Sequence, residues 1–283
     1  RETKKIMTKP TLNPKSGFSR LRVDLTYDGT NFSGWGKQPD RRTIQEEVEK
    51  AIATVTQSKI DSIVAGRTDA GVHASQYVIK IDLEEAPELD LKFRLNKNLP
   101  ESIAVFEVIE VNENHHCRHD AVARTYDYFI HLHKNPLLFH TSSLYEDLAL
   151  DFDLMKKAVA LIRQTKDFKA MCKQPDLYDN TICLISNCEL FINEEAGRLR
   201  FTITSNRFLR GMIRICVYFL LEVGRGVMTL NEFNDILTLK KDVKEKWPAH
   251  PNGLFLSRIE YPNVTLDDSQ NLVRMLKTGL ENH

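Results

Sequence analysis

The sequence predicts an α+β protein: two βαββαβ halves, their antiparallel sheets joined about a pseudo-twofold, with a cleft between them. Three observations lead there. Several short stretches alternate apolar and polar residues with the period of a half-buried strand, and others carry apolar stripes at helical spacing. The order of these stretches over 18–112 is repeated over 113–262. Turn and capping residues, such as Asp28-Gly29 and Gly224 with Gly226, close several of them.

In the first half, Leu21, Val23, Leu25 and Tyr27 alternate with Arg22, Asp24 and Thr26, a strand ended by Asp28-Gly29. Thr43 and Glu46 have capping-box spacing ahead of the stripe Ile44, Val48, Ile52 and Val55. A strand near 59–65 follows, then one from Gln76 to Leu83. Asp90 caps a short helix reaching Asn96, and Ile103 to Val111 reads as a strand apolar on both faces.

The second half opens with a strand from Thr125 to His133, on which Tyr126, Tyr128, Ile130 and Leu132 share a side. A helix from Asp153 to Arg163 turns Leu154, Ala158, Leu161 and Ile162 inward, and strands follow near 183–192 and 198–204. The next helix is expected from Arg207 to Val223, closed by Gly224 and Gly226. Thr229 and Glu232 cap a short helix, and Leu254 to Tyr261 is the last strand. Residues 1–17, with Arg1, Lys4, Lys5, Lys9 and Lys15, read as a mobile basic tail, and 263–283 as a polar tail.

Composition narrows the classes of function. A chain of 283 residues with 42% hydrophobic and 28% charged residues describes a soluble globular protein with a proper core. No apolar run approaches the roughly 18 residues of a membrane span, and no secretory signal opens the sequence. Cys117, Cys172, Cys183, Cys188 and Cys216 are odd in number and scattered, which suits reduced thiols and a cytoplasmic setting. Formal net charge is zero, so a nucleic-acid partner must be met by a local basic patch. The sequence has no phosphate loop, nucleotide fingerprint or metal-ligand spacing, and no cofactor or metal is expected. The cluster His115, His116, Cys117 and His119 lacks the spaced second pair of a zinc site.

The stretch Ala65-Gly66-Arg67-Thr68-Asp69-Ala70-Gly71-Val72-His73-Ala74 puts a carboxylate two residues from a guanidinium, between glycines that permit a sharp turn. On pattern alone it reads equally as a structural turn with a surface ion pair. Arg207, Arg210 and Arg214, three and four residues apart, are expected on one helix face beside Leu209, Met212, Ile213 and Cys216.

Those ten residues closely resemble the catalytic motif of the TruA-type tRNA pseudouridine synthases. Ala123-Arg124-Thr125-Tyr126-Asp127-Tyr128 resembles the second motif of that family. Asn206, Phe208, Met212 and Arg214 match its third, and Gly253-Leu254-Phe255-Leu256 its closing strand. Tyr27-Asp28-Gly29, Gly34-Trp35 and Asn96-Lys97-Asn98-Leu99-Pro100 also fit, so the likeness runs from about 20 to 262.

The resemblance implies that Asp69 is the catalytic carboxylate, that Arg214 pairs with it and that Tyr126 stacks on the target uracil and takes its ring proton. It further implies that Arg67 helps flip the base, that Leu254 packs on it, and that Arg118, Arg207 and Arg210 meet the RNA. Substrates would be uridines 38–40 of the tRNA anticodon stem-loop, handled by a homodimer. The isomerisation is redox-neutral, and one lone motif carboxylate contrasts with the flanking pair of ordinary glycoside hydrolysis. Attack on the sugar, attack on the ring, and a glycal route are all open. Departures fall outside Asp69, Tyr126 and Arg214: Gly36, His119, Asp167 to Met171, Cys183 and Arg210-Gly211 replace commoner family residues. They bear on which uridines are chosen. The rival readings are a synthase for other RNA positions, a non-catalytic RNA-binding protein, and a base-releasing glycosidase.

Overall fold

Leu21, Val23, Leu25 and Tyr27 are all buried, and their alternation builds β1 (Ser19–Tyr27). The chain continues through α1 (Ile44–Thr56), β2 (Ile63–Val64), β3 (His73–Leu83), α2 (Leu91–Asn98) and β4 (Ile103–Glu110). After a connection comes β5 (Ala123–His131), then β6 (Ser143–Leu144), α3 (Phe152–Gln164), β7 (Ile185–Asn193) and β8 (Arg198–Ser205). Next are α4 (Met212–Gly224), α5 (Leu230–Leu237), β9 (Leu254–Glu260) and α6 (Arg274–Lys277). This computed structural model describes residues 19–84, 90–146, 149–241, 243, 246–262 and 273–280. The expected basic tail over 1–17 and most of 263–283 lie outside them.

The strands form one sheet, mostly antiparallel, in the order β4-β1-β3-β9-β5-β8-β7, with β2 on β3 and β6 on β5. The two groups of strands therefore share a continuous surface, where two joined sheets with a cleft between them were expected. They meet at a short parallel seam, His73 opposite Phe255 and Ala74 opposite Leu256. Beyond it the ladder gives way to side chains: Ser75 Oγ donates to the Ser257 carbonyl (3.1 Å), and the Ile259 amide donates to Gln76 Oε1 (2.9 Å).

One core lies under α1 and α2, with Ile44, Val48, Ile52, Leu91 and Leu95 against β1 and β3. Another lies under α3, α4 and α5, with Met155, Ile162, Ile215, Phe219 and Phe233 against Tyr128, Ile130, Leu199 and Phe201. The opposite face of β5 and β9 is capped by a smaller cluster, Phe129 and Phe255 with Val273 and Leu280 of the C-terminal segment. There Asp127, fully buried, receives Arg200 Nε at 2.7 Å and Ser257 Oγ at 2.5 Å, with Lys277 Nζ at 3.5 Å. Arg198 and Arg200 donate to the carbonyls of Leu276 and Leu280, pinning α6 to the sheet.

Several boundaries differ from the sequence reading. α4 begins at Met212, because Gly211 (φ +74°) takes a left-handed turn that no helix continues through. Arg207 and Arg210 thus sit in the preceding loop and do not share a helix face with Arg214. β2 is only two residues long, and β4, an edge strand, buries Ile103 and Val105 but exposes much of its outer half. Thr229 and Glu232 close a full capping box, whereas Thr43 contributes the forward bond, accepting from the Glu46 amide at 3.4 Å. The five cysteines are buried and unpaired with one another. Among the described residues no helix is long and apolar enough to cross a membrane.

Candidate active site

The loop between β2 and β3 carries Asp69, and nearly every residue of it is tied down. Tyr77, buried in β3, donates its hydroxyl to the Gly66 carbonyl. The Trp35 amide donates to Thr68 O (3.1 Å), and the Tyr27 hydroxyl bonds the Thr68 hydroxyl (2.7 Å). Gly71 donates to Phe32 O (3.3 Å), and Val72 closes a turn onto Asp69 O (3.2 Å). Trp35 stacks on Tyr77 with ring centroids 3.9 Å apart, an aromatic floor beneath the loop. Gly34, at φ +92°, brings that floor close: a Cβ there would lie 2.7 Å from Thr68 O.

From the other core, the first turn of α4 aims Arg214 at this loop. Its Nη1 stands 3.4 Å from Asp69 Oδ2, while its Nε donates to Ala249 O at 2.6 Å, fixing the guanidinium plane. The Arg214 side chain is 13% exposed and that of Asp69 42%. The gross attraction of such a pair is about 4 kcal/mol at an effective dielectric near 20, but water at the open carboxylate cuts its net worth to roughly 1 kcal/mol. The pair orients the Asp69 carboxylate and contributes little to holding the fold.

Tyr126 packs against both cores, with Phe208 edge-on at 5.0 Å. Burial pushes its phenol up to about 12, the nearby Asp69 charge adding to the effect and the Arg124 charge opposing it. At neutral pH it is a protonated flat ring beside the carboxylate. Leu254 and Leu256 sit opposite Tyr128 and Tyr126 on β5, so they lie on the same sheet face as that ring.

Of the residues singled out from sequence, Asp69, Tyr126 and Arg214 converge. Arg67 is exposed, its guanidinium lying against Gly36. Arg118 is exposed in the turn before β5. Arg207 sits 5.5 Å over the ring of Tyr178, and Arg210 donates to Gln174 Oε1. Leu254 is almost wholly buried in the second core. The histidines near 116 turn to separate partners: His115 faces Asp120 (3.2 Å), His116 Nδ1 accepts from backbone amides, and Cys117 Sγ donates to Ile63 O.

Sequence reasoning assigned nothing to Arg124, whose guanidinium reaches Ala65 O (2.8 Å), Arg118 O (3.1 Å) and Asn206 O (3.4 Å). The signal was present. Arg124 shares a strand face with Tyr126, Tyr128 and Ile130, where a charge stands out.

A family model described as tRNA pseudouridine synthase matches residues 25–120 and 163–262. The chain is 39% identical over 246 residues to tRNA pseudouridine synthase A of Bacteroides fragilis, covering 86% of this chain and 96% of that protein. It is 35% identical over 248 residues to tRNA pseudouridine synthase A of Porphyromonas gingivalis, covering 87% and 98%. To the protein of that name from Streptococcus mutans it is 35% identical over 246 residues, covering 86% and 98%.

Proposed function

The chain belongs to the tRNA pseudouridine synthase family, and from that premise we propose that it isomerises uridine to pseudouridine at positions 38–40 of the tRNA anticodon stem-loop, with Asp69 as the nucleophile. The observation that carries the proposal is the Asp69–Arg214 contact, made across the two cores on a loop held by main-chain bonds at Ala65, Gly66, Thr68, Asp69, Gly71 and Val72. A target uridine leaves its stack at a cost of a few kcal/mol, and exposed Arg67 is free to occupy the gap and hold phosphate. The flipped uracil then lies against Tyr126, with Leu254 behind it.

Asp69 breaks the C1′–N1 bond by attack on the sugar, by attack on the ring, or through a glycal. On each route the detached uracil turns and C5 bonds to C1′. The C5 proton then leaves, so no electrons enter or depart. Neutral Tyr126 offers a face to hold the ring, and its hydroxyl takes the C5 proton as it passes its own proton to the Asp69 carboxylate, which is freed when C5 bonds to C1′. Arg118, Arg207 and Arg210 would line the RNA path.

The finer architecture belongs to the same proposal. Residues 18–112 and 113–262 act as two ferredoxin-like halves about a pseudo-twofold, a reading supported by the orders β4-β1-β3-β2 and β9-β5-β8-β7. A cytoplasmic homodimer gripping one tRNA would let a chain of zero net charge pool its basic surface.

The test is tritium release from tRNA labelled at uracil C5, for the native protein and Asp69→Asn. The exchange barely alters side-chain volume, and the pair it breaks is worth only about 1 kcal/mol. The variant is therefore expected to fold normally and lose at least ~10^4-fold in rate, the scale of nucleophile removal. Bound tRNA without tritium release from the native protein would sink the enzyme reading in favour of simple RNA binding.

A further inference from the structure

We infer that Arg124 is a positioning residue of this reaction, its one guanidinium locking together the segments that carry Asp69, Arg118 and Phe208. The inference rests on the reading of the chain as a pseudouridine synthase and adds to it a residue with no assigned role.

The three carbonyls it holds come from places far apart in sequence. Ala65 opens the Asp69 loop, Arg118 lies in the turn before β5, and Asn206 opens the loop that sets Phe208 edge-on against Tyr126. Ala65 is itself 1% exposed, and its amide is spent on the Val78 carbonyl, so the arginine ties the loop's base from the other half of the chain. Arg124 also shares a strand face with Tyr126, two residues away, close enough for its charge to bear on the phenol.

Arginine suits this post for a physical reason. A planar fork with five donors can serve several carbonyls in fixed directions, whereas an ammonium is a point charge on a flexible stem. The catalytic pair Asp69–Arg214 spans the two cores, so its geometry depends on how the Asp69 loop sits against the strand and loop of the second core. Among the described residues, Arg124 joins those three segments through a single side chain. A loss of ~1 Å in such a geometry costs on the order of 100-fold in rate.

The experiment compares native protein with Arg124→Lys and Arg124→Met by single-turnover tritium release at saturating tRNA, by tRNA binding, and by thermal melting. R124M is expected to lose about 30- to 100-fold in the saturated rate, and R124K, which keeps the charge but not the fork, about 10-fold. Affinity for tRNA should stay within ~3-fold, because Arg124 holds main chain rather than RNA. Saturated rates within 2-fold of native for both variants would overturn the inference. So would a loss confined to tRNA affinity, or one matched by a collapse in melting temperature in R124K. Absence of tritium release from the native protein would instead overturn the reading beneath it.

Discussion

Replacing Asp127 by Asn tests the buried charge behind the strand that carries Tyr126. Asp127 is fully buried, takes hydrogen bonds from Arg200 (2.7 Å) and Ser257 (2.5 Å), and faces Lys277 at 3.5 Å. Burial opposes its charge, but Arg200, Lys277 and Ser257 more than offset that and hold its carboxyl below the usual range. Breaking a buried pair by removing one charge costs about 3–5 kcal/mol. Asn keeps one acceptor toward Arg200, which puts the expected loss near the lower end, about 3 kcal/mol.

With a urea m-value of about 3 kcal/mol/M, the midpoint should fall by roughly 1 M at pH 7. Because the folded value is depressed, the aspartate's contribution is fully present above the unfolded value near 3.9 and is lost as pH falls through the folded one. The gap between the two proteins should therefore be constant from pH 8 to about 5 and narrow below about 4. A midpoint shift under about 0.2 M at pH 7, or a gap unchanged down to pH 3, would refute the reasoning.

Gly34→Ala combines a positive φ with a Cβ 2.7 Å from Thr68 O. It should cost about 2 kcal/mol or more and displace the Asp69 loop, read as a lower melting temperature together with a slower saturated rate. Tyr126→Phe keeps the ring that would hold the uracil and removes the hydroxyl proposed to relay its C5 proton. Affinity for tRNA is expected within ~3-fold of native and tritium release down by ~10^2-fold or more, in the range of general-base catalysis, as followed in single-turnover kinetics.

Elements with strong local signatures are legible in the sequence alone. The alternation of β1, the stripes of α1 and α3, and the capping box of α5 each needed only neighbours in sequence. What escaped had tertiary causes. Nothing local to the run from Arg207 to Val223 announces that Gly211 adopts a left-handed conformation, with Tyr178 and Lys173 bonding the Arg210 backbone. The single continuous sheet depends on β3 finding β9, some 180 residues later, through two paired positions. For the candidate site, Asp69, Tyr126 and Arg214 stood out only through resemblance. Their convergence is a matter of long-range geometry. Arg124 was hidden because its partners are carbonyls, which every residue has and no motif records.

The seam at His73 and Ala74 ties function to a narrow mechanical joint. Asp69 lies four residues before His73, while Arg214 is anchored beyond the joint in the other core. An opening of 1 Å there is enough to stretch their 3.4 Å contact past salt-bridge range, and it loosens the first core only where Leu256 and Ile259 of β9 enter it. Sub-global opening of this kind requires less free energy than melting either core. Warming the protein should accordingly silence it while its helices and strands are still intact, and regain of activity on cooling would need only the seam to close, not the chain to refold.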